Sequence, residues 1–208
     1  MSAPGTTPGT ARPGGRTART AVAVFAATIG ELASRSYDDI SIESIAARAG
    51  VHKTTIYRRW RTKAELVSQA VTDAARSLIP VPDTGSVEAD LRGLSRSVMA
   101  TLSSPEGNAT TRSLLAGATA SAQIRQLMQQ FWTARLTATA AIVERAVGRG
   151  ELPAGTDPAP VLQAMAAPLY YRLLVTGDQL TQRDADLSAA AAAAAARAGV
   201  FAGQPGMV

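Results

Sequence analysis

The sequence predicts an all-α protein with a small N-terminal domain of three helices, which contains a helix-turn-helix, and a larger helical C-terminal domain. Alanine supplies 43 of the 208 residues and aromatic residues only 4%, a composition that favours closely packed helices over sheets. With 46% hydrophobic residues the chain can bury a sizeable core. The charge is divided unevenly: residues 1–63 hold 10 basic and 4 acidic side chains, and residues 64–208 hold 11 and 12. This asymmetry indicates a basic N-terminal domain of net charge +6 joined to a nearly neutral body.

The chain is predicted to begin with a disordered tail, residues 1–16, that is rich in Pro, Gly and Thr. The first helix follows at about 17–35, and its apolar residues are spaced for one helical face: Val22, Phe25, Ile29 and Leu32. The alternative is a secretory signal, because arginines precede an apolar stretch, but the helical spacing argues against it. No uncharged apolar stretch of about 18 residues occurs, so no membrane span is expected. The absence of cysteine fits a cytoplasmic protein.

A sharp turn between two short helices is predicted next. Ser41 can cap a helix that ends at Gly50, where the left-handed conformation suits glycine. The following helix is placed at about 53–59. A longer helix is predicted to start at Thr62, which can form a capping box with Glu65.

Beyond residue 84 the sequence predicts helices almost throughout. They are placed near residues 86–102, 108–117, 121–148, 158–176 and 184–199. Asp157 followed by Pro158 is a strong start signal for the fourth of these helices. Glu144 and Glu151 are expected to be surface charges, and residues 203–208 are predicted to form a second disordered tail.

The segment with the most informative chemistry lies between residues 53 and 63. It holds five cations, three threonines, one tyrosine and no acidic residue. Short polar side chains near the start of a helix can reach base edges in the major groove, while cations and hydroxyls hold phosphates. A solvated basic face is the alternative, but the coincidence with a helix-turn-helix favours DNA binding.

Residues 17–66 resemble the DNA-binding domain of the TetR family of bacterial transcriptional regulators. The matching positions are Phe25, Tyr37, Ala46, Gly50-Val51, Thr55-Ile56-Tyr57, Trp60 and Lys63-Ala64-Glu65-Leu66. The sequence departs from the family pattern at His52, where Ser is usual, and at Arg59-Trp60, where His-Phe is most common. These departures affect which bases are read more than whether DNA is bound.

The resemblance implies roles for individual residues of the domain, which we place at residues 17–63. Base edges would be contacted by Lys53, Thr54, Tyr57 and Arg58. Phosphates would be held by Ser41, Ser44, Thr55, Tyr57, Arg59 and Lys63. His52 could cap the recognition helix, touch a phosphate or simply pack, and Trp60 is expected in the core rather than on DNA.

Residues 64–202 would then form a ligand-binding and dimerisation domain. The candidates for a ligand pocket are Met99, Leu102, Leu115, Met128, Phe131, Trp132 and Leu136. The candidates for a dimer interface lie on the two C-terminal helices. One is the smooth surface of the alanine-rich last helix, and the other is a stripe on the helix from residue 158: Leu162, Met165, Leu169 and Leu173. The expected partners are double-stranded DNA with a palindromic operator, a second copy of the chain and an apolar or amphipathic small molecule, whose binding would release the operator.

Other classes of protein fit the sequence less well. An enzyme is not expected, because the chain has no Cys, one His and no phosphate-binding glycine loop. No metal site or cofactor is expected either. Two alternatives remain: an architectural DNA-binding protein indifferent to sequence, which would leave the large neutral body unexplained, and a TetR-like regulator that has no small-molecule ligand.

Overall fold

A computed structural model describes the backbone of residues 14–203 and the side chains of 17–119 and 121–203. Both predicted tails lie largely outside these residues, but residues 14–16 of the first belong to a helix. The helices are α1 Gly14–Ser34, α2 Ile42–Ala49, α3 Lys53–Tyr57, α4 Lys63–Leu78, α5 Val87–Ser103, α6 Pro105–Ala120, α7 Ala122–Thr139, α8 Ala141–Gly148, α9 Pro158–Tyr171 and α10 Gln182–Arg197. A π-helical turn, Arg172–Thr176, follows α9. The described chain has no strand, only an isolated bridge between Thr156 and Ala202, and the predicted all-α class is confirmed.

The N-terminal domain, α1–α3, is built around one small core. Ile45 and Ile56 are fully buried there, and Trp60 is 1% exposed. The Trp60 ring lies 5.5 Å from that of Phe25, and its Nε1 donates to Gln69 Oε1 at 2.8 Å. The expectation that Trp60 belongs to the core is confirmed, and through Gln69 it fixes the domain to α4.

Helix α4 connects the N-terminal domain to the body, α5–α10. Its Leu66 packs in the core of the N-terminal domain, whereas Val67 and Val71 pack against α6 and α7 of the body. The C-terminal end of α4 is held by α7, because Arg135 donates to the carbonyl oxygen of Ile79 at 3.3 Å. A rigid helix therefore joins the two parts, with one end in each.

The helices of the body depart from the sequence expectation at two places. The segment predicted as one helix, 121–148, forms two helices that meet at Ala140. Helix α6 begins at Pro105 rather than near residue 108, because Ser104 accepts from the backbone N–H of Gly107 at 3.1 Å and Pro105 occupies the first helical turn.

The predicted dimer stripe needs correction. Leu162, Met165, Leu169 and Leu173 are all at most 5% exposed and belong to the core of the body. They face α5 and α10 of the same chain, with Ser188 of α10 donating to the carbonyl oxygen of Met165 at 2.6 Å. The apolar spacing correctly indicated a buried face, but that face is covered within the protomer and is not available to a partner.

Candidate nucleic-acid interface and adjoining cavity

The turn between α2 and α3 is fixed at both ends of α2. Ser41 and Ser44 form a reciprocal capping box, with N–H to Oγ distances of 3.0 and 3.1 Å. Gly50 ends α2 at φ 66°, in the left-handed region that favours glycine, and the N–H of Val51 closes on the carbonyl oxygen of Ala46 at 3.0 Å. The predicted cap and stop are confirmed. The two serines named as phosphate ligands are therefore already engaged with each other.

Helix α3 presents a polar outer face. Ile56 is fully buried beneath it, while Lys53, Thr54 and Arg58 are exposed and Thr55 is half-buried. Tyr57 is 49% exposed, so its ring is not part of the core. The structure thus brings the four predicted base-contacting residues together on one exposed face.

His52 and Lys53 mark the start of this helix. His52 occupies the N-cap position, but its exposed side chain makes no capping hydrogen bond, so it does not replace the serine usual there. Lys53 lies 3.4 Å from Glu43, and both side chains are more than half exposed. Such a pair contributes little, so Lys53 can leave it to meet DNA.

Lys63 has a structural role that the sequence did not reveal. Its Nζ donates to the carbonyl oxygens of Tyr37 at 2.8 Å and Ile40 at 3.0 Å, and lies 4.3 Å from the Tyr37 ring. Burial lowers the pKa of Lys63, partly opposed by Asp38 and Asp39. Its ammonium thus fastens the turn before α2 to the start of α4, with one of three donors left for a phosphate.

An ion pair between α1 and α2 is a further contact that the sequence did not reveal. The Arg48 guanidinium pairs with Glu31 at 3.3 Å, and the Glu31 side chain is only 8% exposed. Arg48 passes directly over Gly30, where an added Cβ would lie 2.4 Å from its Nη2. A side chain at position 30 would require the Arg48 guanidinium to shift from this position. A glycine inside a helix, followed by an acid, is the signal that could have suggested this ion pair.

A cavity of about 560 Å³ adjoins the N-terminal domain, enclosed by α4, α5, α6 and α7 with α1 and α9 at its edges. Five of the predicted lining residues are there: Leu102, Leu115, Met128, Phe131 and Trp132. Met99 and Leu136 were wrongly predicted, since they do not line it and pack against the core of the body. Helix α4 contributes residues that sequence reasoning omitted: Val71, Ala74, Ala75, Leu78 and Ile79.

One wall of the cavity is aromatic. Trp132 makes edge-to-face contacts with Phe131 and Tyr170, each with ring centroids 5.3 Å apart. Burial raises the pKa of Tyr170 to about 12, so its hydroxyl stays neutral, and burial lowers the pKa of nearby Arg135. The cavity is of a size and character typical of small-molecule sites.

Two kinds of feature are absent from the described part of the chain. Within residues 14–203 no three His, Asp or Glu side chains lie close enough to share a metal ion. Over that range no helix combines the length and the apolar character that crossing a membrane requires.

Two family models match the chain. The one described as "Bacterial regulatory proteins, tetR family" covers residues 24–70, and "Tetracyclin repressor-like, C-terminal domain" covers residues 81–197. The chain belongs to the TetR family. It is a DNA-binding transcriptional regulator and not an enzyme.

Individual relatives agree with this assignment. The TetR-family chain is 34% identical over 142 residues to "HTH-type transcriptional regulator AqdR" of Rhodococcus erythropolis, covering 68% of each protein. It is 33% identical to "DNA-binding transcriptional repressor TetR" of Mycobacteroides abscessus, over 74% of this chain and 82% of the relative. The fold matches a crystal structure of FadR from Bacillus subtilis in complex with stearoyl-CoA, with a TM-score of 0.62, 16% identity and coverage of 86% and 98% of the two chains.

Proposed function

We propose that this TetR-family regulator is a repressor that binds a palindromic operator as a homodimer and is released from it by an amphipathic small molecule. The observation that carries the proposal is that the C-terminal half of α4 borders the cavity, while Leu66 near its N-terminal end packs into the core beneath the recognition helix α3. The relative from Mycobacteroides abscessus is named a repressor, and the FadR structure contains stearoyl-CoA. Both support the proposal.

The proposed base contacts are Lys53, Thr54, Tyr57 and Arg58, from the outer face of α3. Phosphates would be held by Ser41, Ser44, Thr55, Tyr57, Arg59 and Lys63, with His52 as a further contact. The exposure of the outer face of α3 supports the proposed base contacts. For Arg59 the support is its position 5.1 Å from the Trp60 ring, which orients the exposed guanidinium. One short helix reads few base pairs, so two copies on a palindrome give useful specificity.

The proposed dimer interface is the outer side of α9, the π-helical turn and α10. Exposed residues at helical spacing along α10 are apolar: Leu187, Ala190, Ala191 and Ala194. Tyr171 of α9 and Val175 of the π-helical turn are 58% and 69% exposed. Large apolar side chains that lie outside the protomer core in this way are typical of a surface that a second copy covers.

The interface is tested by charge insertion. Leu187→Glu would place a carboxylate at the twofold contact and should convert the dimer to monomer, with loss of cooperative operator binding. Val22→Glu is a matched control on α1, since Val22 is 65% and Leu187 64% exposed. Sedimentation analysis should show a dimer for Val22→Glu. A Leu187→Glu protein that remains fully dimeric would contradict this interface.

The proposed transmission runs through α4, whose C-terminal end is anchored to the body. Asp90 accepts from both the N–H and the hydroxyl of Thr84 at 2.7 Å, and Arg145 pairs with Asp83 at 3.2 Å. These contacts hold the loop that follows α4. A ligand that displaces α4 must therefore move its N-terminal end, and with it α3. Such a change would take the two recognition helices away from the spacing of one DNA turn, about 34 Å.

Footprinting across the regulator's own upstream region tests the DNA-binding part. Protection of a discrete palindrome is expected. Uniform protection would instead favour an architectural protein. Titration with salt adds a quantitative check: a dimer with roughly six to ten phosphate contacts should lose about 10³–10⁵-fold in affinity between about 50 and 200 mM salt. A flat salt response would contradict the assigned phosphate contacts.

A further inference from the structure

One face of α6 runs along the cavity and changes in polarity with depth. Glu106, Thr110 and Leu114 follow one another at intervals of four residues, so they lie one above the other on the helix. Glu106 is exposed, Thr110 is 8% exposed and Leu114 is 3% exposed. The face therefore begins with a carboxylate at the solvent end, continues with a hydroxyl and ends in an apolar interior.

Glu106 determines the charge that the cavity presents. Among the described residues that line it, Glu106 is the only one with a charged side chain, and no Lys, Arg or His is present. Arg135 lies behind the wall near Tyr170, but it does not line the cavity and donates to the carbonyl oxygen of Ile79. An anionic group brought into this apolar site without a cation in contact is strongly disfavoured. A cationic group, by contrast, would meet the Glu106 carboxylate at the solvent end.

Thr110 provides a second polar group one helical turn deeper. Its Oγ1 is buried and has no hydrogen-bond partner in the described part of the chain. A buried hydroxyl without a partner is costly, so a ligand that supplies one gains affinity. Threonine in a helix populates two χ1 rotamers, which allows the hydroxyl to turn toward the cavity. A head group with several N–H donors can bond the carboxylate and this hydroxyl together.

The aromatic wall suits the same head group and the remainder of such a ligand. Phe131, Trp132 and Tyr170 line the cavity, and aromatic rings attract cations as well as apolar groups. We propose that the effector of this regulator is an amphipathic amine, protonated at neutral pH, whose ammonium group binds Glu106 and Thr110 and whose apolar part lies between α4, α6 and α7. This inference rests on the proposed ligand-responsive function.

The test compares three probes that share one alkyl chain: decylamine, decanol and decanoate. At pH 7.5 the amine is a cation and the acid an anion, since ordinary pKa values are about 10.4 for an alkylammonium and about 4.3 for a carboxyl group. Calorimetric titration of the full-length protein, below the micelle concentration of each probe, should give affinities in the order decylamine, decanol, decanoate. We expect at least about tenfold between the first and the last.

Two variants and two matched controls test whether Glu106 and Thr110 are responsible for the preference for the amine. Glu106→Gln should remove most of the preference for the amine over decanol, whereas Glu144→Gln, an exposed acid on α8 outside the cavity, should leave it unchanged. Thr110→Val should weaken decylamine by about three- to tenfold. Thr101→Val is its control, since Thr101 lines the same cavity but its hydroxyl already donates to the carbonyl oxygen of Ser97 at 2.9 Å.

Ligand binding and operator release are measured separately, so that failure of the amine assignment can be distinguished from failure of the release mechanism. Decanoate binding as tightly as decylamine, or a Glu106→Gln protein with undiminished preference for the amine, would overturn the amine assignment. So would the absence of binding by all three probes. Decylamine that binds the cavity with the expected selectivity and leaves the operator complex intact would support the ligand class and contradict the proposed release mechanism.

Discussion

The N-terminal domain and the body differ in how completely their helices fill the space between them. In the N-terminal domain, hydrogen bonds lock the turns: Ser41 with Ser44, Lys63 with two carbonyl oxygens, and Arg48 with Glu31. The body is also held by side-chain hydrogen bonds, such as that of Ser188 to the carbonyl oxygen of Met165, but about 560 Å³ stays unfilled between its helices and α4. The difference suggests that the domain moves as a rigid unit, while the body can adjust around a ligand.

The largest expected effect comes from the core of the N-terminal domain. Trp60→Ala should cost about 3–5 kcal/mol of unfolding free energy, because it removes a fully packed ring, and should abolish operator binding. Trp60→Phe keeps one aromatic ring in the core but loses the hydrogen bond to Gln69 and part of the indole packing, at about 1–3 kcal/mol. Denaturant titration separates the two variants. Equal losses would show that the ring is not the main support of the domain.

The two lysines have different expected roles. Lys63 holds the turn before α2 to the start of α4, whereas Lys53 is proposed to contact DNA. Lys63→Ala leaves the carbonyl oxygens of Tyr37 and Ile40 without their donor, so it should cost about 1–3 kcal/mol of stability and also weaken DNA binding. Lys53→Ala should change stability by less than about 0.5 kcal/mol, because its ion pair is exposed, and should alter sequence preference. Thermal unfolding and titrations on matched and mutated operators distinguish these outcomes. A Lys63→Ala protein of normal stability would contradict the structural role assigned to Lys63.

A polar anchor in the body is expected to affect stability less than Trp60 or Lys63 does. Glu151 is not the simple surface charge expected from the sequence, because it accepts from the N–H of Val87 at 2.7 Å and so caps α5. This hydrogen bond, aided by Arg149, lowers the pKa of Glu151 against the opposing effect of burial.

A carboxyl group with a lowered folded-state pKa stabilises the protein above its unfolded pKa of about 4.3 and loses that contribution as pH falls through the folded value. Wild type should therefore exceed Glu151→Gln in stability at pH 7 by about 1 kcal/mol or less. The gap should close below about pH 4. Unfolding curves at several pH values test this, and a pH-independent gap would contradict the assignment.

Local signals predicted the DNA-binding half of the molecule well. Ser41, Gly50 and Trp60 could be placed because caps, left-handed stops and apolar spacing act over a few residues. Lys63 could not, since its partners are carbonyl oxygens 23 and 26 residues away.

In the body, the sequence predicts which helix faces are buried but not what covers them. A stripe such as Leu162 to Leu173 shows that one helix face is buried, but not whether the same chain or a second copy covers it. The contribution of α4 to the cavity was missed for the same reason, because its apolar residues are equally consistent with plain core. Both assignments require knowing how helices that are distant in the sequence pack against one another.

The central claim, that the cavity controls the spacing of two recognition helices, can be measured directly. The chain has no cysteine, so Ala47→Cys on the exposed side of α2 carries a single spin label in each protomer. Pulsed dipolar spectroscopy should give one distance for the operator-bound dimer and a distance changed by several ångströms, together with operator release, on adding decylamine. An unchanged distance while the operator is released would contradict the account.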